Sequence, residues 1–138
     1  MTSKHGHRTL WSHEIKLEAT PISASEARAF VTQCLIEHRL LYLVDSVRLV
    51  ASELATNALV HAQTAFTVTL SQPDGVVLLA VRDSSEALPV PGAARVMDTH
   101  GRGLEIVNLI SHGWGMDPDE GGRKAVWASF ALRQRREV

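Results

Sequence analysis

The sequence has one cysteine, Cys34, among 138 residues, so no disulfide can form within the chain, and a lone thiol fits a reducing compartment. An excess of charge of either sign is also missing. Fourteen Lys and Arg stand against 15 Asp and Glu, a formal net charge of −1, so no overall field draws the molecule toward nucleic acid or an anionic membrane. No apolar run approaches the roughly 20 residues that span a bilayer. The opening Met1-Thr2-Ser3-Lys4-His5-Gly6-His7-Arg8 has no apolar stretch of the kind a secretory leader carries. These absences set the expectation of a cytoplasmic protein with no membrane segment and no direct nucleic-acid partner. Two common phosphate motifs are lacking as well. There is no G-x-x-x-x-G-K-S/T, and Ile106 stands where the third glycine of G-x-G-x-x-G would fall, which argues against a P-loop and against a Rossmann site.

At 45% hydrophobic residues, the chain is long enough for one core, and a domain of this size buries roughly two-thirds of its unfolded surface. Residues 1–9 are polar and aperiodic, and they hold His5 and His7 with His13 nearby. Without regular spacing or a fixed scaffold they read as a tail, and no metal is assigned to these histidines. Leu10 to Ala19 alternates loosely, as a half-buried strand does. Ser23 with Glu26 three residues on forms a capping-box signature, followed by Ala27, Phe30, Val31, Cys34 and Leu35 at helical spacing. Cys34 within that stripe reads as a packed thiol rather than a nucleophile. A second helix is predicted over residues 43–62, with Val47, Val50, Ala51, Leu54, Ala55, Ala58 and Ala62 inward. Phe66–Leu70 and Val76–Val81 read as a hairpin around Pro73-Asp74-Gly75.

Residues 86–100, with Pro89, Pro91 and Gly92, read as a loop of functional length. Gly101-Arg102-Gly103 then opens a third helix, predicted over Leu104–Ser111 and ending near Gly113. Trp114–Met116 and Lys124–Leu132 read as two last strands. The expected architecture is α/β in the α+β sense, a two-layer sandwich with a mixed, mostly antiparallel sheet and three helices on one face. One domain is expected over residues 10–133, with 134–138 as a charged tail.

On the second helix Glu53, Asn57 and His61 recur every four residues, one above another on a single face. An amide oxygen is a hard-oxygen donor suited to Mg²⁺, and a carboxylate one turn away can take a proton from an attacking hydroxyl. His61 near the helix end suits the dipole without further purpose. Gly101-Arg102-Gly103 offers a phosphate site, because glycines admit close backbone approach and the helix behind them presents free N–H groups. A G-x-G alone is equally an ordinary loop-to-helix turn. Asp83 ends an apolar strand, where it can accept the amino proton of an adenine or close an Asx turn with Ser84 and Ser85.

Glu53-Leu54-Ala55-Thr56-Asn57-Ala58-Leu59-Val60-His61-Ala62, then Val81-Arg82-Asp83-Ser84-Ser85, then Gly101-Arg102-Gly103-Leu104-Glu105-Ile106-Val107 resemble, in order and spacing, three nucleotide-binding boxes of the Bergerat-fold (GHKL) ATPase and kinase superfamily. That superfamily includes histidine-kinase ATP domains and DNA gyrase. The short length and the ending Trp114-Gly115 … Gly121-Gly122-Arg123-Lys124-Ala125-Val126-Trp127 are most similar to the bacterial anti-sigma-factor serine/threonine kinases.

The resemblance covers residues 20–133 and implies the Bergerat ATP-binding fold, with ATP and Mg²⁺ as cofactors. It makes Asn57 the Mg²⁺ holder, Glu53 the general base and Asp83 the reader of adenine. Gly101 and Gly103 frame the triphosphate with Leu104 behind them, and Arg102 offsets phosphate charge. Thr56 and His61 match the first box without a defined role, and residues 86–100 become a lid. The implied partners are an anti-anti-sigma phosphoacceptor and a sigma factor, with a homodimer as the implied assembly. Ser85 departs from the Asp-x-Gly of the second box. That departure keeps open a second reading, a nucleotide-responsive interaction module that transfers no phosphate.

Overall fold

The computed structural model describes residues 8–61, 64–83, 101–118 and 124–133. The elements are β1 (Thr9–Leu17), α1 (Ser23–Glu37), a 3₁₀ turn (Leu41–Leu43), α2 (Val44–His61), β2 (Phe66–Pro73), β3 (Val76–Asp83), α3 (Gly101–Ile110), β4 (Gly113–Pro118) and β5 (Lys124–Ala131). The five strands form one sheet in the order β1-β2-β3-β5-β4. All four pairings are antiparallel, so the expected mixed sheet is an antiparallel one throughout.

Alternation along the strands decides which face is covered. Leu17 on β1, Phe66, Val68 and Leu70 on β2, Val77, Leu79 and Val81 on β3, and Ala128 and Phe130 on β5 are buried. They lie on one side because strand side chains alternate. The helices cover that side. α1 contributes Ala27, Val31, Cys34 and Leu35, a repeat of three and four residues that keeps one stripe inward. α2 contributes Val47, Val50, Ala51, Leu54 and Ala55, all at most 1% exposed. Phe30 and Ala58 pack half-buried against this core, and Ala62 lies outside the described residues. α1 packs on β1 and β2, α2 on β3 and β5, and α3 on β4, so the helices follow the strand order.

Several local expectations change on inspection. The capping box at Ser23 does not form. Ser23 is a buried residue inside the first turn, and its hydroxyl donates to the Thr20 carbonyl at 2.8 Å, while Ile22 occupies the cap position without a side-chain bond. α3 begins at Gly101, three residues before the predicted start, so the G-x-G sequence belongs to the helix itself. β4 is longer than the predicted Trp114–Met116, β1 and β5 are each one residue shorter than predicted, and β2 and β3 meet at the tight turn Asp74-Gly75, where Gly75 takes φ of +81°. His13 lies within β1, as the alternation over Leu10–Ala19 leads one to expect. At the other end, the Arg133 amide donates to the Tyr42 hydroxyl at 2.8 Å, and its guanidinium sits 4.5 Å from the centre of the Tyr42 ring.

Cys34 behaves as its place in the helical stripe suggests. It is 4% exposed, and burial, reinforced by the nearby Glu37 carboxylate, pushes its thiol up to about 11. A protonated thiol is a poor nucleophile, which suits a packing role.

The open face of the sheet carries one close fit. Gly115 on β4 lies opposite Trp127 on β5, and a methyl group at position 115 would come within 2.8 Å of the indole carbon Cζ2. The Trp114-Gly115 … Trp127 pattern thus has a steric basis: the glycine vacates the space the indole lies across. Replacing Gly115 by valine should therefore destabilise the fold by about 1–3 kcal/mol, the usual cost of overpacking. Urea unfolding followed by tryptophan fluorescence reads it directly, and an unchanged midpoint would contradict the fit.

Candidate functional site

The seating of α2 fixes the first group of site residues. Its buried stripe points Leu54 and its neighbours into the sheet, and at 100° per residue Glu53 and Asn57 then fall on one flank of that stripe and Ser52 on the other. Ser52 identifies its flank. The Arg28 guanidinium of α1 donates to the Ser52 hydroxyl at 3.0 Å, so α1 occupies that side. α3 also packs on α2, and the Glu53–Asn57 flank is the one turned away from α1. Both residues are half-buried, whereas Thr56 is exposed. Four residues of helix separate Glu53 from Asn57 by about 6 Å along the axis. A carboxylate and an amide oxygen are thus held one turn apart, on a surface that is neither core nor open solvent.

Asp83 comes to the same side of the sheet. It is the last residue of β3, in register with Phe66 on β2, and two residues beyond the buried Val81. Alternation therefore turns Asp83 toward the helix layer and Arg82 toward the opposite face. Asp83 is half-buried and Arg82 exposed. A half-buried carboxylate at a strand end, beside apolar neighbours, is suited to accept a hydrogen bond from a planar amine that stacks over those neighbours.

Gly101, Arg102, Gly103 and Leu104 are the first four residues of α3, where the structure describes the backbone path alone. Those are the positions whose N–H groups have no carbonyl partner inside the helix. With the positive end of the helix dipole, such positions are chemically suited to an anion, and two of the four residues lack a Cβ. The far end of α3 is anchored. The Trp114 indole of β4 donates to the Asn108 side-chain oxygen at 3.3 Å, the Ser111 hydroxyl caps the Val107 carbonyl at 2.6 Å, and the His112 amide donates to the Ser129 carbonyl at 2.7 Å.

The structure thus places Glu53, Asn57 and Asp83 on the helix-covered side of the sheet, and sets α3 against α2. The side chain of His61, at the end of α2, is not described, and Ser85 with the expected lid, residues 86–100, lies outside the described residues. Sequence reasoning missed one cluster of ligand-type side chains, that of His13, Glu37 and His38. Its members are separated by 24 and 25 residues, and no periodic signal links them.

The comparisons identify the family and the fold. The model of the histidine kinase-like ATPase domain matches residues 17–129, and the chain belongs to that family. It is accordingly an ATP-binding domain of the histidine kinase-like type. Among solved structures it is similar to a chain described as the RsbU and RsbW domains of Rv1364c from Mycobacterium tuberculosis, with a TM-score of 0.66 and 20% identity. That match covers 93% of this chain and 34% of the solved one, so the chain spans about a third of that protein's length. At this identity the likeness establishes the fold. No curated protein matches the chain.

If Glu53 and Asn57 serve a ligand rather than the fold, their removal should leave stability almost intact. Glu53→Ala and Asn57→Ala are each expected to stay within about 1 kcal/mol of the parent. Leu54→Ala, one position away on the buried stripe, should cost about 2–5 kcal/mol. Chemical denaturation of the three variants makes the comparison, and a large loss for Glu53→Ala would mark that residue as structural.

Proposed function

We propose that this domain is a regulatory kinase that transfers the γ-phosphoryl group of ATP to a serine or threonine of a partner protein, in the manner of anti-sigma-factor kinases. The observation that carries the reading is the seating of α2. Its buried stripe presents Glu53 and Asn57 together on the flank opposite α1, while Asp83 ends the strand beneath α2 on the covered face. The likeness to a solved chain with an RsbW domain supports the kinase type, and the first and third boxes support the nucleotide.

Each residue has a task of its own. Asp83 accepts the exocyclic amino proton of adenine and sets the base. The first turn of α3, through N–H groups that have no carbonyl partner within the helix, takes the phosphates, and Arg102 adds positive charge there. Asn57 supplies an amide oxygen, a donor type that Mg²⁺ accepts alongside phosphate oxygens and water; the bound ion would neutralise charge on the phosphates. Glu53 accepts the proton of the attacking hydroxyl as the new P–O bond forms and the bond to the ADP leaving group breaks. Phosphoryl transfer depends on positioning and charge stabilisation more than on covalent help, which a set this small can supply.

A partner protein bearing the phosphoacceptor, a sigma factor sequestered in alternation with it, and a homodimer are the associations this reading entails. Ser85 in place of the glycine of the second box favours a second reading, in which nucleotide occupancy alone alters the surface offered to a partner.

Calorimetric titration with Mg-ATP, followed by transfer of labelled γ-phosphate to the partner, tests both. Saturable binding is expected for the parent. Asp83→Asn should abolish it, and Glu53→Ala should retain binding while losing transfer by at least a hundredfold. Undiminished transfer by Glu53→Ala would remove Glu53 as the base, and tight binding with no transfer by the parent would favour the module.

A further inference from the structure

At the far edge of the sheet from α3, β1 and the end of α1 bring together a group of side chains that the nucleotide site does not use. His13 on β1 and His38 just beyond α1 place their Nε2 atoms 2.9 Å apart. Glu37 joins them, and one ligand atom from each of the three lies within 4.8 Å of the others. We propose that His13, His38 and Glu37 form a binding site for a divalent transition-metal ion of the Zn²⁺ type, pinning the edge strand β1 to the C-terminus of α1.

The donor set has the right chemistry. Two neutral imidazole nitrogens and a carboxylate oxygen match three-ligand Zn²⁺ sites, in which a fourth position is left to water or a partner's side chain. Tetrahedral bonds of about 2.0–2.1 Å to nitrogen put two ligand nitrogens about 3.3 Å apart. The observed pair needs to open by only a few tenths of an ångström. Without a metal, the contact holds only if the two rings share one proton, since a donor must face an acceptor. His13 and His38 are half-buried and Glu37 is exposed, so an ion can enter from solvent.

The supporting residues hold the ligands in place. The Trp11 indole stacks on the His38 ring, with centroids 4.0 Å apart and planes within 6°. That indole is itself held by a 2.7 Å hydrogen bond from its Nε1 to the Gln72 side-chain oxygen on β2. Gln33 donates to the Glu37 carboxylate at 3.4 Å. The backbone after α1 is fixed too. The Leu40 amide bonds the Leu35 carbonyl at 2.8 Å, the Arg39 amide bonds the Ile36 carbonyl at 3.1 Å, and Arg39 takes φ of 61°. This is the chain reversal of a Schellman motif with arginine in the position glycine usually fills. His38 is thereby presented by a closed turn rather than by a fraying helix end. Outer contacts that orient imidazole ligands are a regular part of metal sites, and losing one typically costs 10–100-fold in affinity.

The test is a Zn²⁺ competition titration of the full chain, free of any affinity tag, against a chromophoric chelator. One equivalent should bind, and Zn²⁺ should raise the melting temperature of the parent, because the ion binds only the folded arrangement. His13→Gln and His38→Gln should each weaken binding at least roughly tenfold, while His5→Gln/His7→Gln should leave it unchanged. Parent-like binding by both single variants, no binding by the parent, or loss confined to the His5/His7 variant would each overturn the proposal. Should the single variants fail to fold, the parent with Co²⁺ decides it. Paramagnetic broadening of amide signals in β1 and at the end of α1 supports the site, and broadening elsewhere refutes it.

Discussion

The placement of Glu53 and Asn57 depends on how α2 sits on the sheet. Val47, Val50, Ala51, Leu54 and Ala55 lock one side of the helix against the core formed with β3 and β5. Once that stripe is fixed, helical geometry leaves no freedom in where Glu53 and Asn57 emerge. Small side chains at Ala51 and Ala55, on the Ser52 side of the stripe, suit the close packing of α2 against α1. A helix rotated by one residue would bury Glu53 and expose Leu54, losing core area and stranding a carboxylate. The same contacts that stabilise the fold thus set the chemistry of the site.

The sheet fixes where Asp83 stands. β3 lies third in the order β1-β2-β3-β5-β4, with strand neighbours on both sides, and its last residue, Asp83, stays in register with Phe66 of β2. α3 is tied at its C-terminal end through Asn108 and the His112 amide, while the N–H groups of its first turn have no carbonyl partner within the helix. A helix N-terminus of this kind suits an anion, which is the role proposed for it.

Much of this was legible in the sequence. The stripes of α1 and α2 follow the 3.6-residue period closely enough that nearly every inward residue could be named in advance. Glu53, Asn57, Asp83 and the Gly101–Gly103 turn stood out through their resemblance to three boxes in fixed order. Other features were hidden for definable reasons. The Ser23 hydroxyl is spent on the Thr20 carbonyl instead of the expected cap, a choice set by the path of the turn before it. Gly101 and Gly103 read as loop because glycine disfavours helix interiors, yet a first turn has few intrahelical bonds to weaken. The crossover from β3 through α3 to β4, which leaves β5 between them, is not encoded by period-2 alternation. His13 and His38 meet only because β1 and α1 pack together, so nothing local announced them.

The central claim is that nucleotide lies between the Glu53–Asn57 flank of α2, the end of β3 and the first turn of α3. Amide hydrogen exchange with and without Mg-ATP tests it most directly. Slowed exchange is expected at the first turn of α3, at the end of β3 and along the second half of α2, with β1 and α1 unaffected. Protection centred on β1 and α1, or absent from α3 while Mg-ATP binds, would contradict the account.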